Sequence, residues 1–164
     1  MATGAFFAAF GYKFYVKKGT TASTVPTSAS GLVEVLSLEN AGIQGASSTT
    51  EVIDYGSSQG FSASLVTGQS YTIPCTMNLD LRDAGYKELK DAALNAATGV
   101  TVQWYRESPE MTSTGDPEKH AGVAFVTDFS EDIQAGNVAK VTFTLTGYGA
   151  YSWTAENDTA PPGP

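Results

Sequence analysis

At 164 residues with 41% hydrophobic side chains, the chain is long enough to bury one sizeable core and short for two independent domains. Its formal net charge of -8 repels phosphate on average, which disfavours nucleic-acid binding, and only 16% of residues are charged, so much of the surface is neutral and polar. Cys75 is the sole cysteine and His120 the sole histidine, which excludes an intrachain disulfide and a His/Cys zinc site within one subunit.

The run from Ala5 to Lys18 is dense in aromatic and β-branched side chains, and Phe6, Phe10, Tyr12, Phe14 and Val16 give it the period of a half-buried strand. Phe6, Phe7, Phe10 and Tyr12 fit either a core strand or an N-terminal arm that contacts another subunit. The apolar part, Gly4 to Phe10, is too short to span a bilayer and lacks the charged start of a signal peptide, so neither anchor nor leader is expected. Lys13, Lys17 and Lys18 precede every acidic residue and read as a solvated strand end. Residues 19–31, small and polar with one proline, read as a loop.

A second strand is expected from Gly31 to Leu38, with Leu32, Leu36 and Leu38 on one face and Val33 and Val35 on the other. Residues 44–60 are rich in Ser, Thr and Gly around Val52, Ile53 and Tyr55. They are expected to form a long loop that docks against something, because an unsupported loop of that length is uncommon in a compact domain.

The clearest alternation lies between Gln69 and Leu81, where Tyr71, Ile73, Cys75, Met77, Leu79 and Leu81 form a core face and Thr72, Thr76, Asn78 and Asp80 a wet one. Pro74 on the wet face marks an edge or a bulge, since proline cannot donate to a ladder. One helix is expected over about 84–97, capped by Asp83 and stopped by Gly99, with Tyr86, Leu89, Ala93 and Ala97 on its stripe and a Lys87–Asp91 pair on its wet side.

Strands resume with Val100, Val102 and Trp104, and 108–117 reads as a hairpin loop. Ala121, Val123, Phe125, Thr127 and Phe129 mark the next strand and 130–137 a connection. In the last strand Val141, Phe143 and Leu145 alternate with Thr142, Thr144 and Thr146, an uncharged exposed face. Residues 1–151 then form one domain and 152–164 a flexible C-terminal tail. The fold class is mainly β, a barrel or sandwich with one helix packed outside, because sheets with one apolar face close on themselves or stack.

Catalytic chemistry finds little to work with. No nucleophile-elbow, Walker or dinucleotide-binding motif is present, and His120 has no G-x-S-x-G serine to serve. Asp116 and Glu118, or Glu131 and Asp132, are countable as carboxylate pairs, and Asp128, Glu131 and Asp132 as calcium donors, but acids in turn-like segments are ordinarily solvated or capping. His120 likewise reads as an exposed or sheet-edge histidine. No catalytic residue, cofactor or metal is expected, and the chain is read as a non-enzyme.

The order of segments resembles the major tail tube proteins of long-tailed bacteriophages, which share a fold with contractile-tail and type VI tubes. The residues that carry the likeness are LVEVLSLENAGI, STTEVIDYGSSQG, SYTIPCTMNLDL, YKELKDAALNAA, VTVQWYRE, GVAFVTDFSEDI and KVTFTLTGYG, in that order over residues 31–150. The resemblance implies a self-assembling subunit of stacked, hexameric rings through which DNA is ejected, in a virion tail built in the host cytoplasm. Its partners would be copies of itself, tape measure, terminator and baseplate or tip subunits, and DNA in transit, with no membrane. Glu51, Val52, Ile53, Asp54 and Tyr55 would contact the adjacent ring. Asn78, Asp80, Thr142, Thr144 and Thr146 are the lumen-facing candidates, being polar and unable to clamp phosphate. The alternative is an adhesive or carbohydrate-binding β-sandwich that uses Trp104, Tyr105, Tyr148, Tyr151 and Trp153 as aromatic platforms.

Overall fold

The computed structural model describes residues 11–52, 63–109, 116–149 and 151–155. Among these residues nine strands and one α-helix follow each other as β1 (Lys13–Thr20), β2 (Val33–Glu34), β3 (Leu38–Ala41), β4 (Gln44–Val52), β5 (Ala63–Asn78), α1 (Ala84–Leu94), β6 (Val100–Glu107), β7 (Lys119–Asp132), β8 (Lys140–Gly147) and β9 (Ser152–Thr154). They form one antiparallel sheet in the order β2-β1-β6-β7-β8-β5-β3, with β4 also on β5 and β9 also on β7.

The two ends of that order are the same piece of chain. Residues 33–41 pair with β1 at Glu34 and Val33, then cross over to pair with β5 at Leu38 through Ala41. Val35 N donates to Phe14 O at 2.8 Å and Ser37 O accepts from Asn78 N at 3.0 Å, so the hand-over is hydrogen-bonded on both sides. The sheet thereby curls into a barrel, which leaves no long edge along its main wall. The expected single strand from Gly31 to Leu38 is therefore two short ones joined by a bend. Val35 is buried and Leu36 exposed, on opposite faces as expected, but Leu38, expected on the face of Leu36, packs against the core beyond the bend.

Inward-facing side chains alternate as the pleat requires. Phe14 and Val16, Ile73, Cys75 and Met77, Val102 and Trp104, and Val141, Phe143 and Leu145 form one core with Tyr86, Leu89 and Ala92 of α1. In β7 the inward residues are Ala124 and Val126, then Phe129, because a bulge between Thr127 and Ser130 with Asp128 at φ 52 shifts the pleat by one residue. Pro74 is in an interior strand after all. It sits where β3 pairing has stopped at Ala41↔Cys75 and β4 pairing has not begun at Gln44↔Thr72, opposite a gap in the ladder.

Helix α1 starts where Asp83, itself buried, accepts from Gly85 N at 2.8 Å on Oδ1 and from Leu36 N at 3.0 Å on Oδ2. It ends in a 3-10 turn, Ala96–Thr98, closed by Gly99 at φ 84. Its buried face runs through Gly85, Tyr86, Leu89 and Ala92, while Ala97 lies beyond the helix and is exposed. Lys87 makes no pair with Asp91; Asp91 binds Lys18 of β1 instead, and Lys90 binds Glu131 of β7 at 2.7 Å. Those two ion pairs pin the helix to the sheet on either side.

Candidate assembly surfaces

Strand β5 is 16 residues long, and only its second half belongs to the barrel. Its first half, with β4, forms a two-stranded ribbon registered from Val52↔Ala63 to Gln44↔Thr72. Residues 44–51 and 64–70 are exposed along both faces of that ribbon. Residues 44–52 are thus a strand rather than the expected loop. Sequence patterning could not show this, because a strand wet on both sides carries no apolar alternation. A hairpin without a buried face is marginal on its own, and its outer edge, β4, presents unpaired backbone groups. Glu51 is exposed near the ribbon's end, and Val52 closes its register. Ile53, Asp54 and Tyr55 lie outside the described residues, as do Phe6, Phe7 and Phe10.

A second surface lies on the outer face of β5, β8 and β7. Thr72, Thr146 and Phe125 share one cross-strand row, Pro74, Thr144 and Thr127 the next, and Thr76, Thr142 and Ser130 a third. Thr127 Oγ1 donates to Thr144 O at 3.2 Å and lies 2.9 Å from Thr146 Oγ1, so hydroxyls bond to their neighbours within the face. Within these rows charge appears only in the last, Asn78, Lys140 and Asp132, where Lys140 is paired with Glu39 at 2.9 Å, and Asp128 is exposed at the bulge between Thr127 and Ser130. The structure therefore places Thr142, Thr144, Thr146 and Asn78 on one polar face, uncharged in its three threonine rows. Asp80 is not among them, because β5 ends at Asn78; its carboxylate accepts from Arg82 N at 2.8 Å in the turn that leads to α1.

The third surface surrounds β9. Residues 152–154 pair with Lys119–Ala121 of β7, which corrects the expectation that the tail begins at residue 152. Trp153 donates to Glu118 Oε1 at 2.8 Å, and the same oxygen lies 3.1 Å from His120 Nε2. His120 is no exposed edge residue: its ring stacks near Tyr151, it pairs in register with Arg106, and its Nδ1 is buried with no partner. Burial, followed by the neighbouring Arg106 charge, holds the imidazole below its ordinary pKa against the opposing pull of Glu118. Trp153 and Glu118 hydrogen-bond, which with His120 keeps the Glu118 carboxyl low.

Arg106 borders a cavity of about 300 Å³ with Tyr12, Phe14, Val35 and Ala41. Its guanidinium donates to Ala41 O at 3.0 Å and lies 5.6 Å from the centre of the Tyr12 ring. Tyr12 is thus engaged within its own chain by a cation–π contact.

Of the aromatics considered as platforms, Trp104 and Tyr105 are buried, and Trp104 is a centre of the core. Tyr148, Tyr151 and Trp153 are exposed; Tyr151 and Trp153 both adjoin the Glu118–His120 pair beside β9, Tyr151 is also edge-on to Tyr71, and Tyr148 is edge-on to Phe125. Among the candidate calcium donors, Glu131 is occupied by Lys90 and the Tyr86 hydroxyl. Cys75 is buried, and its thiol is pushed up to about 12 by that burial, so it is an inert core group.

No protein-family model and no curated protein sequence matches the chain. Solved structures do. The chain is similar to the SPP1 tail tube solved by solid-state NMR and cryo-EM, at TM-score 0.62 and 16% identity over 92% of this chain and 80% of that one. It is similar to the tail of an empty gene transfer agent particle refined with C6 symmetry, at TM-score 0.60 and 16% identity over 87% and 96%. A chain of the six-fold symmetrised anti-feeding prophage baseplate superposes at TM-score 0.64 with 12% identity over 94% and 98%. A mainly β chain with one helix, a single antiparallel sheet and these neighbours has the fold of phage tail tube proteins.

Proposed function

We propose that this chain is a structural subunit of a tail tube that associates with copies of itself into stacked rings. The observation that carries the reading is the β4–β5 ribbon, a hairpin solvated on both faces that projects from a barrel of tail-tube fold. Such a ribbon gains stability only when another chain covers it or completes its edge. The C6 and six-fold symmetry stated for two of the similar structures supports hexameric rings here.

In this reading the threonine face of β5, β8 and β7 lines the bore, where neutral hydroxyls and an acidic chain give duplex phosphates nothing to bind. Glu51, Val52, Ile53, Asp54 and Tyr55 contact the adjacent ring, and the N-terminal residues Phe6, Phe7 and Phe10 serve an inter-subunit contact. The tube is a conduit for DNA ejection in a virion tail assembled in the host cytoplasm. Tape measure, terminator and baseplate or tip subunits are its further partners, and it performs no enzymatic step. Electron microscopy of the purified chain over a concentration series tests the reading. Rings and tubes that lengthen with concentration support it, and a solitary particle at every concentration rejects it.

A further inference from the structure

Four large apolar side chains are exposed on segments that meet at the barrel end opposite the ribbon: Leu36 at 72% exposure, Leu81 at 67%, Ile133 at 68% and Val138 at 71%. They come from the β2–β3 bend, the β5–α1 turn and the β7–β8 turn, and backbone bonds gather those stretches. Leu36 N donates to Asp83, Asn78 N to Ser37 O at 3.0 Å, and Leu79 N to Ala139 O at 2.8 Å. Ile133 and Val138 flank the turn beyond the Asp132↔Lys140 pair. Exposed apolar residues scattered singly need no explanation, but four gathered as a collar at one end of a barrel do.

The ribbon at the other end carries its own exposed apolar pair, Leu65 and Val66. Neighbours in a strand point to opposite faces, so the ribbon has an apolar side whichever face meets a partner. Thirteen residues of one strand separate Leu65 from Asn78, a span of about 40 Å at roughly 3.3 Å per residue. Two different surfaces at opposite poles suit heterologous, head-to-tail joining, which repeats without limit, rather than a twofold dimer. Charge agrees. Glu51 is the one charged residue in 44–52 and 63–70. Beside the collar, Arg82 is exposed and in no ion pair among the described residues, whereas Lys140 is already paired with Glu39.

We propose that the collar of Leu36, Leu81, Ile133 and Val138 seats the β4–β5 ribbon of a second copy of this chain, with Glu51 of one copy facing Arg82 of the next. This assignment rests on the tube-subunit reading and adds the receiving surface to it.

The test uses two full-length variants, one with Leu81→Asp and Val138→Asp, the other with Leu65→Asp and Val66→Asp. All four positions are exposed, and circular dichroism checks that both variants fold. Each alone is expected to stop at unstacked particles in electron microscopy. Mixed in equal amounts, the intact ribbon of the first seats on the intact collar of the second and yields stacks of two that grow no further. Arg82→Glu is expected to raise the concentration needed for tubes at least tenfold, and adding Glu51→Arg in the same chain to restore it. Tubes of wild-type length from the collar variant overturn the collar while leaving the tube reading intact. Wild-type protein that never stacks overturns both.

Discussion

Trp104 donates its indole N–H to the Tyr71 hydroxyl at 3.2 Å, and that hydroxyl donates onward to Val123 O at 2.7 Å. The relay crosses the barrel interior from β6 through β5 to β7, and two glycines make room for it. A Cβ on Gly122 would come within 2.6 Å of the Tyr71 hydroxyl, and one on Gly147 within 2.3 Å of its ring. Tyr71→Phe keeps the ring and removes the oxygen, leaving the buried indole N–H without a partner, while Val123 O keeps its bond from Tyr148 N at 2.8 Å. The expected loss is about 1–3 kcal/mol in urea unfolding. Gly147→Ala is expected to cost at least as much, because the clash is with a packed ring.

Gly85 in the first turn of α1 would ordinarily be a place to gain stability, since Gly→Ala in a helix is worth about 1 kcal/mol. Here a Cβ would meet Val35 Cγ2 at 2.7 Å and Val35 Cα at 2.9 Å. The glycine lets the helix lie flush on the segment that closes the barrel. Gly85→Ala is therefore expected to lower the melting temperature, with a loss of roughly 1–3 kcal/mol from overpacking, while Lys87→Ala on the exposed side leaves it nearly unchanged.

His120 gives stability a pH dependence of definite sign. Its folded pKa lies below the ordinary 6.5 through burial and the Arg106 charge, with Glu118 opposing. The unfolded chain takes up a proton that the folded chain refuses, so the contribution is complete above 6.5 and is lost as pH falls through the lowered folded value. It is the only histidine, and carboxylates of ordinary pKa 4.5 titrate lower. Urea midpoints measured on stepping below pH 6.5 are expected to fall for the wild type and to stay level for His120→Gln.

The threonine face can be tested by giving it a charge. Thr144→Lys places a cation between Pro74 and Thr127 on that face. Tubes built from this variant are expected to retain short duplex DNA at low salt and release it as salt rises, whereas wild-type tubes retain none. Equal retention by both would remove that face from the bore.

Much of the barrel was legible because its strands are wet on one side and dry on the other. Alternation of Tyr71, Ile73, Cys75 and Met77, or of Val141, Phe143 and Leu145, marks their buried faces directly. Asp83 and Gly99 likewise announced the helical segment through side-chain capping and left-handed backbone. Three features left no such imprint. Strand β4 is solvated on both faces, Asp128 moves the pleat of β7 by one residue, and the 33–41 segment changes partner halfway. Thr142, Thr144, Thr146 and Asn78 alternate with buried residues of their strands as their spacing predicts, whereas Asp80 lies past the end of the strand whose period it continues. The collar escaped notice because its four residues are far apart in sequence and meet only through the closure of the barrel.

The central claim is that the β4–β5 ribbon is completed by sister copies, and hydrogen exchange reads it most directly. Amides of 44–52 and 63–70 would be followed in dilute monomer and in assembled protein under the same buffer. The expected result is fast exchange in the monomer and strong protection on assembly, confined to the ribbon and the surfaces that meet it, while barrel amides such as those of Ile73 and Phe143 are protected in both. Assembled particles whose ribbon amides exchange as fast as the monomer's would contradict it.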